Sequence, residues 1–335
     1  MYRKLASVLV AGACIAFAGG AAGAVTLKLA AFIPPNSVSG SQVLTPIAEA
    51  IEKESNGDLQ VKIFYGGALG RSPAKQYELV TNGVADMAYI VDIYTSGQFP
   101  DTSIFELPYN IRSGTEGSLA RWRMYKAGHL RGYDDVKAVG LWMSEPGGIH
   151  TKQPMASLED IKGMKIRATG RVATSFLQKF GAVPVAMPVT QVTEAIDRGV
   201  LDGLMQSWVG LVTFRTHNVV KYHYEAPVGA LTFSIALNKG QWDKLSASQK
   251  ALIDKYGGEH MARTAGAAFD RLGEERLNEH LKDTDRKFII PNDAELEKAR
   301  ASVQGIYDEW VAETPDGQKK LDALQAILAD IRAKK

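Results

Sequence analysis

The sequence predicts an α/β protein built from two similar lobes, and three observations carry that prediction. A β-α-β-α-β order occurs twice along the chain, a matching four-residue turn precedes the third strand of each unit, and long apolar runs lead from one unit to the other. Composition agrees with this class. A chain of 335 residues with 45% hydrophobic and 23% charged residues is globular, and at this length one core gives way to two.

Residues 26–32 read as the first strand, stopped by Pro34-Pro35-Asn36. A helix follows, with Leu44, Ile47, Ala48 and Ile51 on one face and Asn56-Gly57 as its C-cap signal. Residues 59–64 alternate as a strand, 65–73 form a Gly-rich loop, 75–81 a short helix and 87–91 a buried strand. Successive strands joined by helices pair in parallel. An amphipathic helix over 113–129 and a strand over 136–142 then lead toward the second lobe.

The order repeats as strand 164–168, helix 172–180, strand 183–186, helix 191–198 and strand 204–206. Gly83-Val84-Ala85-Asp86 and Gly199-Val200-Leu201-Asp202 occupy equivalent places, the glycine ending a helix and the aspartate serving the turn into a strand. Residues 231–238 form a second crossing after Ala226-Pro227. Ser246 to Gln249 is a capping box, and the helix it opens runs past Gly257-Gly258, a kink position, through Phe269, Leu272 and Leu277. A strand over 287–290 and helices near 294–312 and 318–333 complete the chain.

Two crossings make each lobe discontinuous: residues 25–145 with 231–270 form lobe I, and 146–230 with 271–335 form lobe II. Each is expected to be a mixed, mostly parallel sheet flanked by helices. The crossings act as a hinge, and the cleft between the lobes is a natural ligand site.

Residues 1–24 read as a secretory signal. Arg3 and Lys4 precede the apolar run 5–17, and Ala22-Gly23-Ala24 is a small-residue cleavage site, so the mature chain begins at Val25. The run is short for a membrane span. Loss of Arg3 and Lys4 takes the 39 basic residues to 37, level with the 37 acidic ones, which argues against a nucleic-acid partner. Cys14, the single cysteine, lies inside the leader and lacks the context of a lipidated first residue. The mature chain then has no disulfide, thiolate metal site or cysteine nucleophile.

Local catalytic signatures are missing from the sequence: it has no G-x-x-x-x-G-K-[ST], G-x-S-x-G, H-E-x-x-H or strand-linked G-x-G-x-x-G. His217 and His223 are six apart, which suits neither a helix face nor a strand face for metal ligation. No metal and no cofactor is expected. The informative segment is Gly163 to Gly170, which sets Arg167 at the carboxyl end of a strand, where open α/β sheets bind ligands. A guanidinium there offers a planar fork to a carboxylate.

That Gly-Met-Lys-Ile-Arg segment resembles the G-x-K-[IV]-R stretch of the DctP-type extracytoplasmic solute-binding proteins of tripartite ATP-independent periplasmic (TRAP) transporters. Phe64 to Gly70, Asn82 to Ala88, Phe105 to Tyr109 and Val200 to Gly203 match in the same order and spacing. The resemblance implies a two-lobed periplasmic binding protein fold, type II-like, and a periplasmic subunit, not an enzyme, that captures a small organic acid and passes it to membrane permease subunits. Arg167 then makes the ion pair with the ligand carboxylate. The segment after the second-lobe Asp-Gly lies in the cleft, where relatives carry Asn or Pro-Trp-Glu. This chain has Gln206, Ser207 and Trp208 instead, Gln206 as the hydrogen-bonding side chain and Trp208 as a wall. His150 is nearest to a further basic position about twenty residues before the arginine. Phe32 and the loop from Tyr89 to Tyr94 follow first-lobe strand ends and supply the opposite wall. The aromatics and the lack of a second clear cleft arginine favour a monocarboxylate, with the protein a monomer. The competing readings are an exported enzyme acting on a carboxylic acid and a ligand-sensing partner of a membrane receptor.

Overall fold

The computed structural model describes residues 24–334, so the leader and Cys14 lie outside the described residues except for Ala24. In chain order the elements are β1 (Val25–Ala30), α1 (Thr45–Glu54), β2 (Leu59–Phe64), α2 (Gln76–Thr81), β3 (Met87–Val91), α3 (Gly114–Lys126) and β4 (Val136–Met143). Then come β5 (Gly147–Thr151), β6 (Lys165–Ala168), α4 (Gly170–Lys179), β7 (Val183–Ala186), α5 (Val189–Asp197), β8 (Gly203–Gln206), α6 (Trp208–Thr213) and β9 (Tyr222–Gly229). The remainder is β10 (Thr232–Asn238), α7 (Lys239–Lys244), α8 (Ala247–Tyr256), α9 (Gly258–His280), β11 (Lys287–Ile289), α10 (Asp293–Ser302), α11 (Gln304–Glu313) and α12 (Gly317–Ala333).

These strands make two sheets, ordered β2-β1-β3-β10-β4 and β11-β9-β5-β8-β6-β7. In the first, β1 runs parallel to β2 and β3 while β10 is antiparallel to β3 and β4. In the second, β6 is parallel to β7 and β8 while β5 is antiparallel to β8 and β9. The two lobes therefore share one plan, three parallel strands followed by an antiparallel strand. Each antiparallel strand enters from a segment that has just crossed over from the other lobe.

The repeated turns show why the plan recurs. Gly83 and Gly199 take φ of 72° and 73°, ending α2 and α5 in left-handed geometry. Asp86 Oδ2 then accepts the Lys28 N–H within β1, and Asp202 Oδ2 accepts the Lys165 N–H that begins β6, both at 2.8 Å. The same aspartates' carbonyls accept Asn238 N–H and Lys152 N–H, each at 2.8 Å, tying the antiparallel strand into place. Four residues thus tie three strands together in each lobe.

Patterning alone does not assign β5 or β9. Gly147 to Thr151 is buried throughout and has no alternation to read, and β9 contains Pro227. The kink position at Gly257 is a break between α8 and α9, and the helix expected near 294–312 breaks at Val303 into α10 and α11. The expected lobe boundary at residue 270 falls inside the continuous helix α9. Nor does 271–335 pack with lobe II alone, because α12 lies along α3 of lobe I. Arg332 pairs with the buried Glu116 at 2.7 Å and Lys320 with the buried Asp101 at 2.6 Å. Such long-range charge neutralisation leaves no local trace in the sequence.

The crossings run side by side. Ser144 N–H donates to Leu231 O and Leu231 N–H to Ser144 Oγ, both at 3.0 Å, so the two hinge segments move as a bonded pair. Among the described residues no helix is long and apolar enough to cross a membrane.

Candidate functional site

Arg167 ends up where β6 meets the cleft, with its side chain wholly buried. Nε donates to Met187 O at 3.1 Å, Nη1 to Gln206 Oε1 at 3.2 Å and Nη2 to the Tyr94 hydroxyl at 2.9 Å. All three acceptors are neutral, and among the described residues no carboxylate pairs with this guanidinium. A buried charge in that state is costly until an anion joins it.

Tyr94 belongs to lobe I, just after β3, whereas Arg167 and Val189 belong to lobe II. The Tyr94 hydroxyl accepts from Arg167 and also from Val189 N–H at 3.2 Å. Both partners are donors, so the hydroxyl's own hydrogen remains available for an acceptor beside the guanidinium. The sequence pointed to this loop but not to Tyr94 as the residue that bridges the cleft.

Two adjoining cavities flank these groups. The larger is lined by six aromatic rings, Phe32, Tyr89, Tyr94, Phe214, Phe233 and Phe269, together with aliphatic and small polar residues. Tyr89 stacks on Phe233 at 5.6 Å between ring centroids, and Phe233 on Phe269 at 5.4 Å, which fixes a flat apolar slot. The smaller has Glu106, Thr169, Gly148 and Met205 on its walls. Ser144, Gln206, Ser207 and Leu231 border both. Phe233 and Phe269, missed in the sequence, come from the second crossing and α9. Their contribution depends on the crossover topology.

Five of the expected residues therefore gather here: Phe32, Tyr89, Gln206 and Ser207 on the cavity walls and Arg167 behind Gln206 and Tyr94. Ser207 also caps α6, its Oγ accepting Gly210 N–H at 3.4 Å. His150 and Trp208 do not join them. His150 lines neither cavity: it pairs across the sheet with His223, and Trp208, the first residue of α6, packs against both imidazoles. Its indole N–H donates to Glu225 Oε2 at 3.0 Å, so it is a packing residue, not a cleft wall. The register sets His150, Leu204 and Arg167 on one face of the sheet, and it is the packing of Trp208 and His223 over the imidazole that keeps His150 from the cavities.

The tautomers of the histidine pair follow from its neighbours. His150 Nε2 sits 3.0 Å from Gln206 O and must carry a hydrogen, which leaves Nδ1 to accept. His223 Nδ1, 2.9 Å away, then donates, and its Nε2 faces the Arg286 guanidinium. Burial holds both rings neutral, lowering His150 to about 4 and His223 to about 2. With Glu225, these residues place ligating atoms within 4.8 Å of one another. Binding a dication would force His223 to move its hydrogen onto the nitrogen facing Arg286, so the trio suits a hydrogen-bonded prop beneath Gln206 better than a metal centre.

Glu145 lies on the first crossing. Its Oε1 accepts Val209 N–H of α6 at 2.8 Å, and burial without a paired cation pushes it up to about 8.

The sequence from residue 29 to residue 314 matches the family described as bacterial extracellular solute-binding protein, family 7. The fold is similar to a marine metagenome TRAP solute-binding protein from an unidentified microbe, specific for aromatic acid ligands and solved with 3-hydroxybenzoate. The TM-score is 0.85 at 28% identity, over 92% of this chain and 99% of that one. It is similar as well to a TRAP solute-binding protein of Rhodoferax ferrireducens T118 solved with copurified benzoate, with TM-score 0.84, 26% identity, and 91% and 98% coverage. A solute-binding protein of Albidiferax ferrireducens is 29% identical over 219 residues, which span 63% of this chain and 64% of that protein.

Proposed function

The chain belongs to the bacterial extracellular solute-binding proteins of family 7, and from that premise we propose that it is the periplasmic subunit of a TRAP transporter for a small aromatic monocarboxylate. The observation that carries this reading is Arg167, a buried guanidinium whose partners are all neutral, beside a slot lined with aromatic rings. A carboxylate supplies the missing anion through charge-assisted bonds, and a planar ring packs against the wall that Phe32, Tyr89 and Phe233 form together. The other wholly buried arginine, Arg121, is committed to Asp92, so the site offers one internal cation and suits one carboxylate. Similarity to the proteins solved with 3-hydroxybenzoate and benzoate supports the same class.

Capture works by differential contact. An acid bridging Arg167 in lobe II and the Tyr94 hydroxyl in lobe I binds the closed state better than the open one, and so draws the hinge shut. The protein then hands its ligand, unchanged, to the membrane permease, and acts as a monomer. The test is calorimetry with benzoate and related acids on wild type and Arg167→Met. The variant should lose at least a hundredfold in affinity, about 2.7 kcal/mol. Equal affinity in the two proteins would remove the anchor, and conversion of the acid during the titration would make the protein an enzyme.

A further inference from the structure

The smaller cavity contains a carboxyl group for which the fold provides no partner. Glu106 ends a short 3-10 helix, Thr102–Glu106, in lobe I, and its side chain reaches across to the start of α4 in lobe II. A Cβ placed on Gly170 would stand 3.0 Å from Glu106 Oε2, so the glycine leaves the room that the carboxyl uses. Both carboxyl oxygens are buried, and neither receives or makes a hydrogen bond. A buried polar group without a partner calls for an explanation.

The surrounding charges do not supply one. Arg171, the nearest cation acting on Glu106, is held by Glu313 and Thr314, and Asp92 is engaged by Arg121. Burial pushes the Glu106 carboxyl well above the usual range, which favours the protonated form, able both to donate and to accept.

We propose that Glu106 is a specificity-determining residue, an uncharged carboxyl that hydrogen-bonds a hydroxyl substituent of the ligand reaching into the smaller cavity. This rests on the reading of the protein as a carrier of aromatic monocarboxylates and narrows it to hydroxylated ones. The geometry runs through the residues that border both cavities. The two cavities meet at Ser144, Gln206, Ser207 and Leu231, and Gln206 is also the partner of Arg167, so a ring in the larger cavity with its carboxylate at Arg167 lies at that border, and a substituent directed through it enters the space beside Glu106. Gly148, Ala173, Met205 and Val228 offer no side-chain hydrogen-bonding group there, and what sets Glu106 apart from the polar walls Ser144, Thr169, Gln206 and Ser207 is that both of its carboxyl oxygens are buried without a partner.

Calorimetry with benzoate and with 2-, 3- and 4-hydroxybenzoate tests this on wild type, Glu106→Leu and Glu106→Gln, with melting temperatures to verify folding. Wild type should favour at least one hydroxylated acid over benzoate by about tenfold or more. Leu should bring that ratio close to one, and Gln, which can also donate and accept, should preserve most of it. An unchanged ratio in Leu, an equal loss in Gln, or no preference in wild type overturns the subsite while leaving benzoate binding as evidence for the carrier. Failure of wild type to bind any of the four acids overturns both.

Discussion

Among the described residues two arginines lie wholly inside the protein, one in each lobe, and their surroundings differ in one decisive respect. Arg121, on α3 of lobe I, pairs with Asp92 and donates to Trp142 O at 2.8 Å and to the Tyr133 and Ser234 hydroxyls at 2.9 Å each. Asp92 in turn accepts from Ser234 at 2.7 Å. Arg167 in lobe II has a similar set of neutral partners but no carboxylate among the described residues. A buried cation that the fold itself neutralises is architecture. One that the fold orients and leaves without an anion is a receptor.

The most severe way to test that contrast is to remove each guanidinium in turn. Arg121→Met strands Asp92 in the core and should cost roughly 3 to 5 kcal/mol of folding stability. Arg167→Met strands no anion, so its melting temperature should match or exceed that of ligand-free wild type. Thermal unfolding of the two variants side by side decides the matter, and a larger loss for Arg167→Met would reverse the assignment.

Gln206→Glu would turn the second arginine into the first kind. Gln206 Oε1 is already 3.2 Å from Arg167 Nη1, so a carboxylate in its place neutralises the guanidinium from within. Benzoate affinity should fall at least a hundredfold, about 2.7 kcal/mol, while the ligand-free melting temperature rises. Undiminished affinity in calorimetry would show that Arg167 does not need an external anion.

Glu145 extends the same rule to a buried acid. Its folded pKa is raised from 4.5 to about 8, so between those values the native state keeps a proton that the unfolded chain has released. Its contribution to stability is therefore fully present below pH 4.5, declines as pH rises and is gone by about pH 8. Glu145→Gln, which keeps the acceptor for Val209 N–H, should remove about 2 kcal/mol of that decline, below the ~1.4 kcal/mol per unit ceiling because the ionised carboxyl can relax toward solvent. Denaturant unfolding at pH 5 and pH 8.5 reads it directly, and identical pH profiles for variant and wild type would contradict the burial argument. His150 and His223 act in the opposite sense, since both are lowered and their contribution is lost as pH falls below 6.5.

The smallest expected effect is that of Tyr94→Phe. It removes the hydroxyl that receives Arg167 and Val189 N–H across the cleft and should weaken acid binding by about tenfold, near 1.4 kcal/mol. Calorimetry showing no change would mean that the ligand does not use the bridge.

The parts of this structure that the sequence disclosed are those set by local chemistry. A glycine with positive φ followed three residues later by an aspartate specifies a turn wherever it occurs, which is why the repeat at Gly83 and Gly199 exposed the two-lobed plan. Arg167 was legible because it follows a recognisable strand inside a distinctive segment. His150 and Trp208 were misplaced because they pack against each other and against His223 of β9, a partner strand that the sequence did not reveal. Phe233 and Phe269 reach the slot only through the chain crossing, and Glu106 acquires meaning only when α4 of the other lobe closes over it. Each of these required knowing which distant segments meet.

The exchange of strands between sheets has a consequence for how the molecule comes apart. Since β5 is a central strand of the second sheet and β10 of the first, neither half is a contiguous piece of polypeptide that could be excised or expressed on its own. A protease cut in one crossing leaves the halves fastened by the other. Denaturation accordingly proceeds as a single cooperative event, so the freedom needed to swing around a guest is obtained without any independence of the parts.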